Sequence, residues 1–152
     1  MNTTVDRIHT TTSAAADKVG TSPAYQAYRI LHFGFVVAPI LAGLDKFFHL
    51  LANWDQYLPG VVARMSPVPP HTLMLVVGVI EIVAGLIVLV KPRIGAYIVG
   101  LWLLGIIANL LTTPEKFYDI ALRDFGLALG AFALGRLAEI FDRHYERADV
   151  PV

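Results

Sequence analysis

The sequence predicts an all-α integral membrane protein, a four-helix bundle with both termini in the cytoplasm. Three observations carry this prediction. Hydrophobic residues make up 56% of the 152 residues and charged residues only 16%, whereas about a quarter of an ordinary globular domain is charged. The apolar residues fall into four stretches that are each long enough to cross a bilayer. Arginine and lysine are concentrated on one side of the resulting topology.

The four predicted spans cover approximately residues 30–51, 73–90, 94–111 and 120–137. A helix needs about 20 mostly apolar residues to cross a bilayer, with about 17 as the lower limit. The segments are apolar on nearly every face, which is typical of helices surrounded by lipid. A soluble helical bundle is not favoured, because so little polar surface remains to cover it.

Polar segments flank the predicted transmembrane domain, residues 23–141. They are an N-terminal tail (1–22) and a C-terminal tail (142–152). Ser22 followed by Pro23 predicts the start of the first helix, because serine caps helices and proline suits the first helical position. The last helix is expected to continue beyond residue 137 into the cytoplasm, since Glu139 and Arg143 have the spacing of a helical ion pair.

The positive charges predict the orientation. Eight basic residues share one side if the chain crosses four times: Arg7, Lys18, Arg29, Lys91, Arg93, Arg136, Arg143 and Arg147. The other side has Arg64 and Lys116, with Lys46 and Arg123 inside the spans near it. Because positive residues accumulate on the cytoplasmic side, we expect a multi-pass protein of the cytoplasmic membrane. The first loop, 52–70, is then outside, lying along the interface.

Composition also excludes several classes of function. The 12 basic residues are balanced by 12 acidic ones, so we expect no nucleic-acid partner. The absence of cysteine excludes disulfides, thiol catalysis, cysteine-ligated zinc and iron–sulfur clusters in this chain. The partners that we expect are the lipid bilayer and other membrane protein subunits.

Polar residues within the spans are the candidate functional residues, because intramembrane charges are costly and usually face the interior of a bundle. The candidates are Asp45, Lys46, His49, Glu81, Asn109, Arg123 and Asp124. Nearly all of them fall in the outer half of the predicted bilayer. We therefore expect a cluster of Asp45, Lys46, Glu81 and Arg123, capped by His49 and Asn109.

Small residues predict where the helices approach each other. Gly78 and Gly85 lie on the same face of the second span as Glu81, so another backbone can come close on both sides of the carboxylate. Gly126 and Gly130 form a GxxxG pair in the fourth span, which indicates a packing surface there.

The cluster has two interpretations. It is either a buried ion-pair network that sets the relative positions of the helices or a site where a carboxylate exchanges protons and a cation holds an anion or a quinone carbonyl. We expect no cofactor held by this chain alone, with quinone as the candidate ligand. His49 and His71 lie at similar depth and could ligate haem from two sides, but no haem motif accompanies them, so haem is not favoured.

Three segments resemble those of the DoxX-like membrane proteins. They are Ala42-Gly43-Leu44-Asp45-Lys46-Phe47-Phe48, which is similar to the "aGxxKf" signature; Gly78 to Gly85, which is similar to "G-x-x-E-x-x-x-G"; and Asp119 to Asp124, which is similar to "D-x-a-x-R-D". The resemblance covers about residues 28–137. Lys46, Glu81, Arg123 and Asp124 fall on polar positions of the family.

The resemblance implies a four-helix membrane fold and a link to membrane redox chemistry, because relatives in the wider group include a subunit of an archaeal thiosulfate:quinone oxidoreductase. We therefore expect a non-catalytic accessory subunit of a membrane redox or respiratory complex that contacts quinone or lipid. One alternative is a quinone-linked oxidoreductase subunit using thiosulfate or thiols, for which another chain would supply the redox cofactor. The other is a small proton-coupled transporter, although no inverted repeat supports it.

Overall fold

The structure is a computed structural model that describes residues 22–58, 67–112 and 117–148, the stretch 143–148 as backbone alone. These residues form four α-helices: α1 (Pro23–Phe48), α2 (Pro70–Val90), α3 (Pro92–Thr112) and α4 (Tyr118–Ala148). A 3₁₀ turn, Trp54–Tyr57, lies between α1 and α2. The described residues contain no strand, so the all-α prediction is confirmed. Most of the two predicted tails and the central part of the first loop lie outside the described residues.

Local sequence signals set both ends of α1. The Ser22 hydroxyl accepts a hydrogen bond from the Tyr25 backbone N–H at 3.2 Å, and Pro23 occupies the first helical position, as the sequence predicts. The helix ends at Phe48, three residues before the predicted boundary at residue 51. His49 causes this earlier end because its backbone turns into the left-handed region, with φ of 53°.

Neighbouring helices pack antiparallel. The α1–α2 and α3–α4 contacts are the most extensive, and α2–α3 and α1–α4 contacts complete a ring of four helices. Gly43 of α1 lies against Gly78 of α2, while Gly85, further along α2, lies against Ile40, nearer the start of α1. The prediction that Gly78 and Gly85 permit close approach is therefore confirmed.

The apolar core lies in one half of this ring. Its buried members are Tyr28, Phe35, Ala84, Val88, Ala96, Val99, Ala131, Leu134, Ala138 and Phe141. They come from the first half of α1 and α3, the second half of α2, and α4 from Ala131 onward. We call this the Glu139 end, after a residue of α4, and the opposite half the Lys46 end. The two ends are stabilised differently.

Three of the four helices, α1, α2 and α3, are long and apolar enough to cross a membrane. Many large apolar side chains on the outer faces are exposed, including Phe33, Val83 and Leu101. Exposed apolar surface of this extent indicates contact with lipid or with other membrane proteins. Helix α4 does not join the three, because its predicted span, 120–137, contains three charged residues, Arg123, Asp124 and Arg136.

Candidate functional site

Lys46 and Glu81 form a buried ion pair between α1 and α2. The Lys46 Nζ atom donates to Glu81 Oε2 at 2.5 Å, and the two side chains are only 3% and 12% exposed. The glycine contact beside them explains why they meet. A Cβ atom on Gly43 would lie 2.5 Å from the Gly78 carbonyl oxygen, so the backbones already touch one turn from Lys46.

Trp54 covers the Lys46 ammonium from the connection that follows α1. The centre of its indole ring lies 3.9 Å from Nζ, within the range of a cation–π interaction. The same indole donates from Nε1 to Asp45 Oδ2 at 2.7 Å. In the sequence Trp54 falls within the first loop, 52–70, which is predicted to lie along the interface, and no spacing pattern connects it to the charged residues. Only the tertiary structure shows that Trp54 contacts both Lys46 and Asp45.

Asp45 is buried and anchors the chain that leaves α1, rather than joining an ion pair. Its carboxylate accepts from the backbone N–H groups of Leu50 and Leu51 at 2.9 and 3.0 Å, in addition to Trp54. Within the described residues, no salt bridge includes Asp45. It therefore satisfies backbone donors that would otherwise be unpaired at the apolar end of the helix.

Asp124 and Arg123 point in different directions from the start of α4. Asp124 is 4% exposed and interacts electrostatically with Glu81. The Arg123 side chain is 62% exposed and reaches back to Asp124, with Nη2 at 3.0 Å from Oδ1. The structure thus pairs Lys46 with Glu81, buries the Asp124 carboxylate within electrostatic range of Glu81, and leaves the Arg123 guanidinium exposed.

Asn109 contacts the Trp54–Tyr57 turn, and His49 contacts the start of α2. The Asn109 side chain donates to the Tyr57 carbonyl oxygen at 3.3 Å. The His49 ring is exposed and stacks on the ring of His71, with centroids 5.3 Å apart. His71 in turn contacts Asp55, its Nδ1 atom lying 3.2 Å from Oδ2.

The glycines of α3 and α4 differ in how closely other residues approach them. Gly130 packs against the Phe35 ring, whereas no described residue lies within 4 Å of a Cβ atom added to Gly126, so the described residues show packing at only one member of the GxxxG pair. Gly105 in α3 also faces open space. Near it in sequence, the Trp102 Nε1 atom is buried and has no hydrogen-bond acceptor among the described residues.

Comparison of the chain with known protein families, with curated proteins and with solved structures found no match. The resemblance to the DoxX-like proteins therefore stays a prediction from the three sequence segments.

At the Lys46 end, the buried charged groups of α1 and α4 each have a partner. The Lys46 ammonium has a carboxylate and an aromatic face, Asp45 has three donors, and Asp124 has the Arg123 guanidinium. Paired buried charges of this kind can hold helices in one arrangement.

Proposed function

We propose that the chain is a DoxX-like four-helix integral membrane protein of the cytoplasmic membrane, acting as a non-catalytic accessory subunit of a redox or respiratory complex. The observation that carries the proposal is that the buried charged residues Asp45, Lys46 and Asp124 all have partners within the chain. A catalytic or proton-transferring carboxylate would need to be accessible to its substrate, whereas Glu81 is held by Lys46. This arrangement supports a structural role for the buried charges rather than a catalytic one.

The proposed environment accounts for the outer surface. Apolar side chains such as Phe33, Val83 and Leu101 are exposed on the helices, and in a bilayer they would be covered by lipid or by neighbouring subunits. With both termini cytoplasmic, the Lys46 end faces outward and the Glu139 end faces the cytoplasm. In this topology α4 is the fourth span, its three charges lying near the two membrane surfaces.

Trp102 supports contact with a quinone. Its buried indole N–H lacks an acceptor among the described residues, and buried donors are normally paired. A carbonyl oxygen of a quinone ring that enters between the helices is a suitable acceptor, because Trp102 lies at the middle of α3, far from the lipid ester groups at the membrane surfaces. The open space beside Gly105, three residues along the same helix, supports this position.

The first experiment is affinity purification of the tagged chain from its native membranes in mild detergent. We expect stoichiometric recovery with redox subunits, identified by mass spectrometry, and an oxidised-minus-reduced optical spectrum from their cofactors. Recovery of the chain alone, without a chromophore, would overturn the accessory-subunit proposal. Turnover by the isolated chain with added quinone and thiosulfate would instead establish the enzyme alternative.

The quinone contact is tested by replacing each of the two tryptophans. We expect Trp102→Phe to lower the amount of quinone that copurifies, because the indole donor is lost while the aromatic bulk is kept. Trp54→Phe is the matched control and should leave that amount unchanged. Equal amounts in all three proteins would show that the Trp102 N–H does not hold such a ligand.

A further inference from the structure

Three side chains of metal-ligating type meet where the chain leaves α1 and enters α2. They are His49, Asp55 and His71, and the accessory-subunit proposal uses none of them. Each offers one ligand atom, and these atoms all lie within 4.8 Å of one another. The closest pair is His71 Nδ1 and Asp55 Oδ2, at 3.2 Å. Residues far apart in sequence thus present two imidazoles and a carboxylate to one point.

The Asp55 carboxylate has an oxygen that nothing in the described chain satisfies. Oδ2 contacts His71, but Oδ1 is buried and has no hydrogen-bond partner among the described residues. A buried carboxylate oxygen without a partner is unfavourable, and native proteins rarely leave one so. A cation bound at Oδ2 would draw negative charge away from Oδ1 and so lower the cost of leaving that oxygen unpaired.

The backbone at His49 is held in a conformation that turns this side chain towards His71. His49 is the only residue other than glycine with positive φ in the described part of the chain. Its N–H donates to the Asp45 carbonyl oxygen at 2.7 Å, and the Asp45 carboxylate holds the next two N–H groups. A left-handed residue is a common way for a helix to end, and here it fixes the direction in which the His49 side chain leaves α1.

The geometry points to a binding site for a divalent transition-metal ion of the zinc class, held by His49, Asp55 and His71. Imidazole and carboxylate ligands suit such ions. Tetrahedral ligands at about 2.0–2.1 Å from an ion lie about 3.3 Å apart, which His71 and Asp55 already match. The His49 and His71 side chains are exposed, so small rotations would bring the third ligand to the same spacing.

Three protein ligands leave one tetrahedral position for water or for a group from a partner. The site lies outside the membrane-spanning segments in the proposed topology, on the outer side. It is independent of the accessory-subunit proposal, because a metal ion here could be bound whether or not the chain joins a complex.

The buried residues Asp45 and Lys46 hold the segments that carry two of the metal ligands. Trp54, which directly precedes Asp55, is fixed between Asp45 and the Lys46 ammonium. Asp45 also holds the backbone that follows His49. Asp45 is therefore a positioning residue for two of the three ligands, a role comparable to that of the groups that orient metal ligands in other proteins.

The test is titration of the purified full chain, carrying a tag without histidine, with Co²⁺ and then with Zn²⁺ in competition. We expect one ion per chain and the visible absorption of tetrahedral Co²⁺, lost when Zn²⁺ is added. His49→Asn and His71→Asn should each weaken binding on the order of 100-fold, the upper end of the loss seen when only a supporting residue is removed. Asparagine tolerates the left-handed backbone, so His49→Asn preserves the end of α1.

His32→Asn is the matched control, because His32 lies about 25 Å from His49 along α1 and contacts the Val88 carbonyl oxygen instead. It should bind as the unchanged protein does. Asp45→Asn should weaken binding about tenfold and alter the Co²⁺ spectrum while helical content is retained. No saturable binding by the unchanged protein, or equal affinity in the His49, His71 and His32 variants, would overturn the inference.

Discussion

The two ends of the helical ring are held together in different ways. At the Glu139 end the interior is apolar, with Val88, Ala96 and Leu134 fully buried or nearly so. At the Lys46 end the interior contains an ion pair, Lys46–Glu81, with a buried carboxylate at Asp124. Apolar side chains such as Leu110 and Met74 are also buried at the Lys46 end, so the two ends differ in the buried ion pair that the Lys46 end adds to its apolar packing.

Charged residues also occur at the Glu139 end, but at its surface. Glu139 lies 2.9 Å from Arg136 and 3.5 Å from Arg93, whose side chains are 74% and 47% exposed. Exposed ion pairs contribute little because solvent screens them. Because the Lys46 side chain is buried and the arginine side chains are exposed, we expect only the Lys46 end to depend on its ion pair, and substitutions of Glu81 and Glu139 test this difference.

The largest effect is expected for Glu81→Gln. This change leaves the buried Lys46 ammonium without its counterion, and breaking a buried pair in this way costs about 3–5 kcal/mol. The measurement is the free energy of unfolding in mixed detergent micelles, compared with that of the unchanged protein.

Replacing both members of the pair should recover most of that loss. In the double variant Lys46→Met with Glu81→Met, two apolar side chains replace two charges, and such exchanges are often neutral or stabilising. The control is the pair of single variants, Lys46→Met and Glu81→Met. If the double variant loses as much free energy of unfolding as the two single variants added together, Lys46 and Glu81 are not energetically coupled and the comparison of the two ends fails.

An intermediate effect is expected for Gly43→Ala. The new Cβ atom would lie 2.5 Å from the Gly78 carbonyl oxygen and 2.8 Å from the Ile82 side chain, so α1 and α2 must move apart. Overpacking of this kind costs about 1–3 kcal/mol. The same unfolding measurement checks the value.

Gly126→Ala is the matched control for that substitution, since nothing lies within 4 Å of its added Cβ atom. Alanine is the better helix former, so we expect stability to be unchanged or higher by about 0.5–1 kcal/mol. A loss at Gly126 comparable to that at Gly43 would mean that glycine contributes something other than close contact.

The smallest effect is expected for Glu139→Gln at the opposite end. The Arg136 and Arg93 side chains remain solvated when the carboxylate is lost, so the free energy of unfolding should change by no more than about 1 kcal/mol. A loss equal to that of Glu81→Gln would show that the charges of both ends are equally important.

Local signals made several parts of the fold predictable. The cap at Ser22, the proline at position 23 and the two glycines flanking Glu81 act through the backbone over a few residues, and the structure bears them out. The end of α1 was placed three residues too late, because hydrophobicity continues through Leu50 and Leu51 while the helix does not. What ends it is the left-handed turn at His49.

The candidate site was predictable in membership more than in arrangement. Depth in the membrane placed nearly all seven candidate residues at one level, and of these Lys46 and Glu81 form an ion pair across the helices. Depth does not specify the direction of a side chain around the helix axis, and successive residues differ by about 100°. For this reason Arg123 was expected inside the cluster, whereas its neighbour Asp124 occupies that position.

The sequence by itself determined the helical class, the apolar segments and the residues too polar to be left unpaired in them, because hydropathy and capping depend on neighbours in the chain. The tertiary structure decided which of those residues pair: Lys46 with Glu81, and Asp45 with the chain that follows it. It also brought His49 and Asp55 to His71. These choices depend on how each helix is rotated and where the connection folds back, and both are set by close contacts such as that of Gly43 with Gly78.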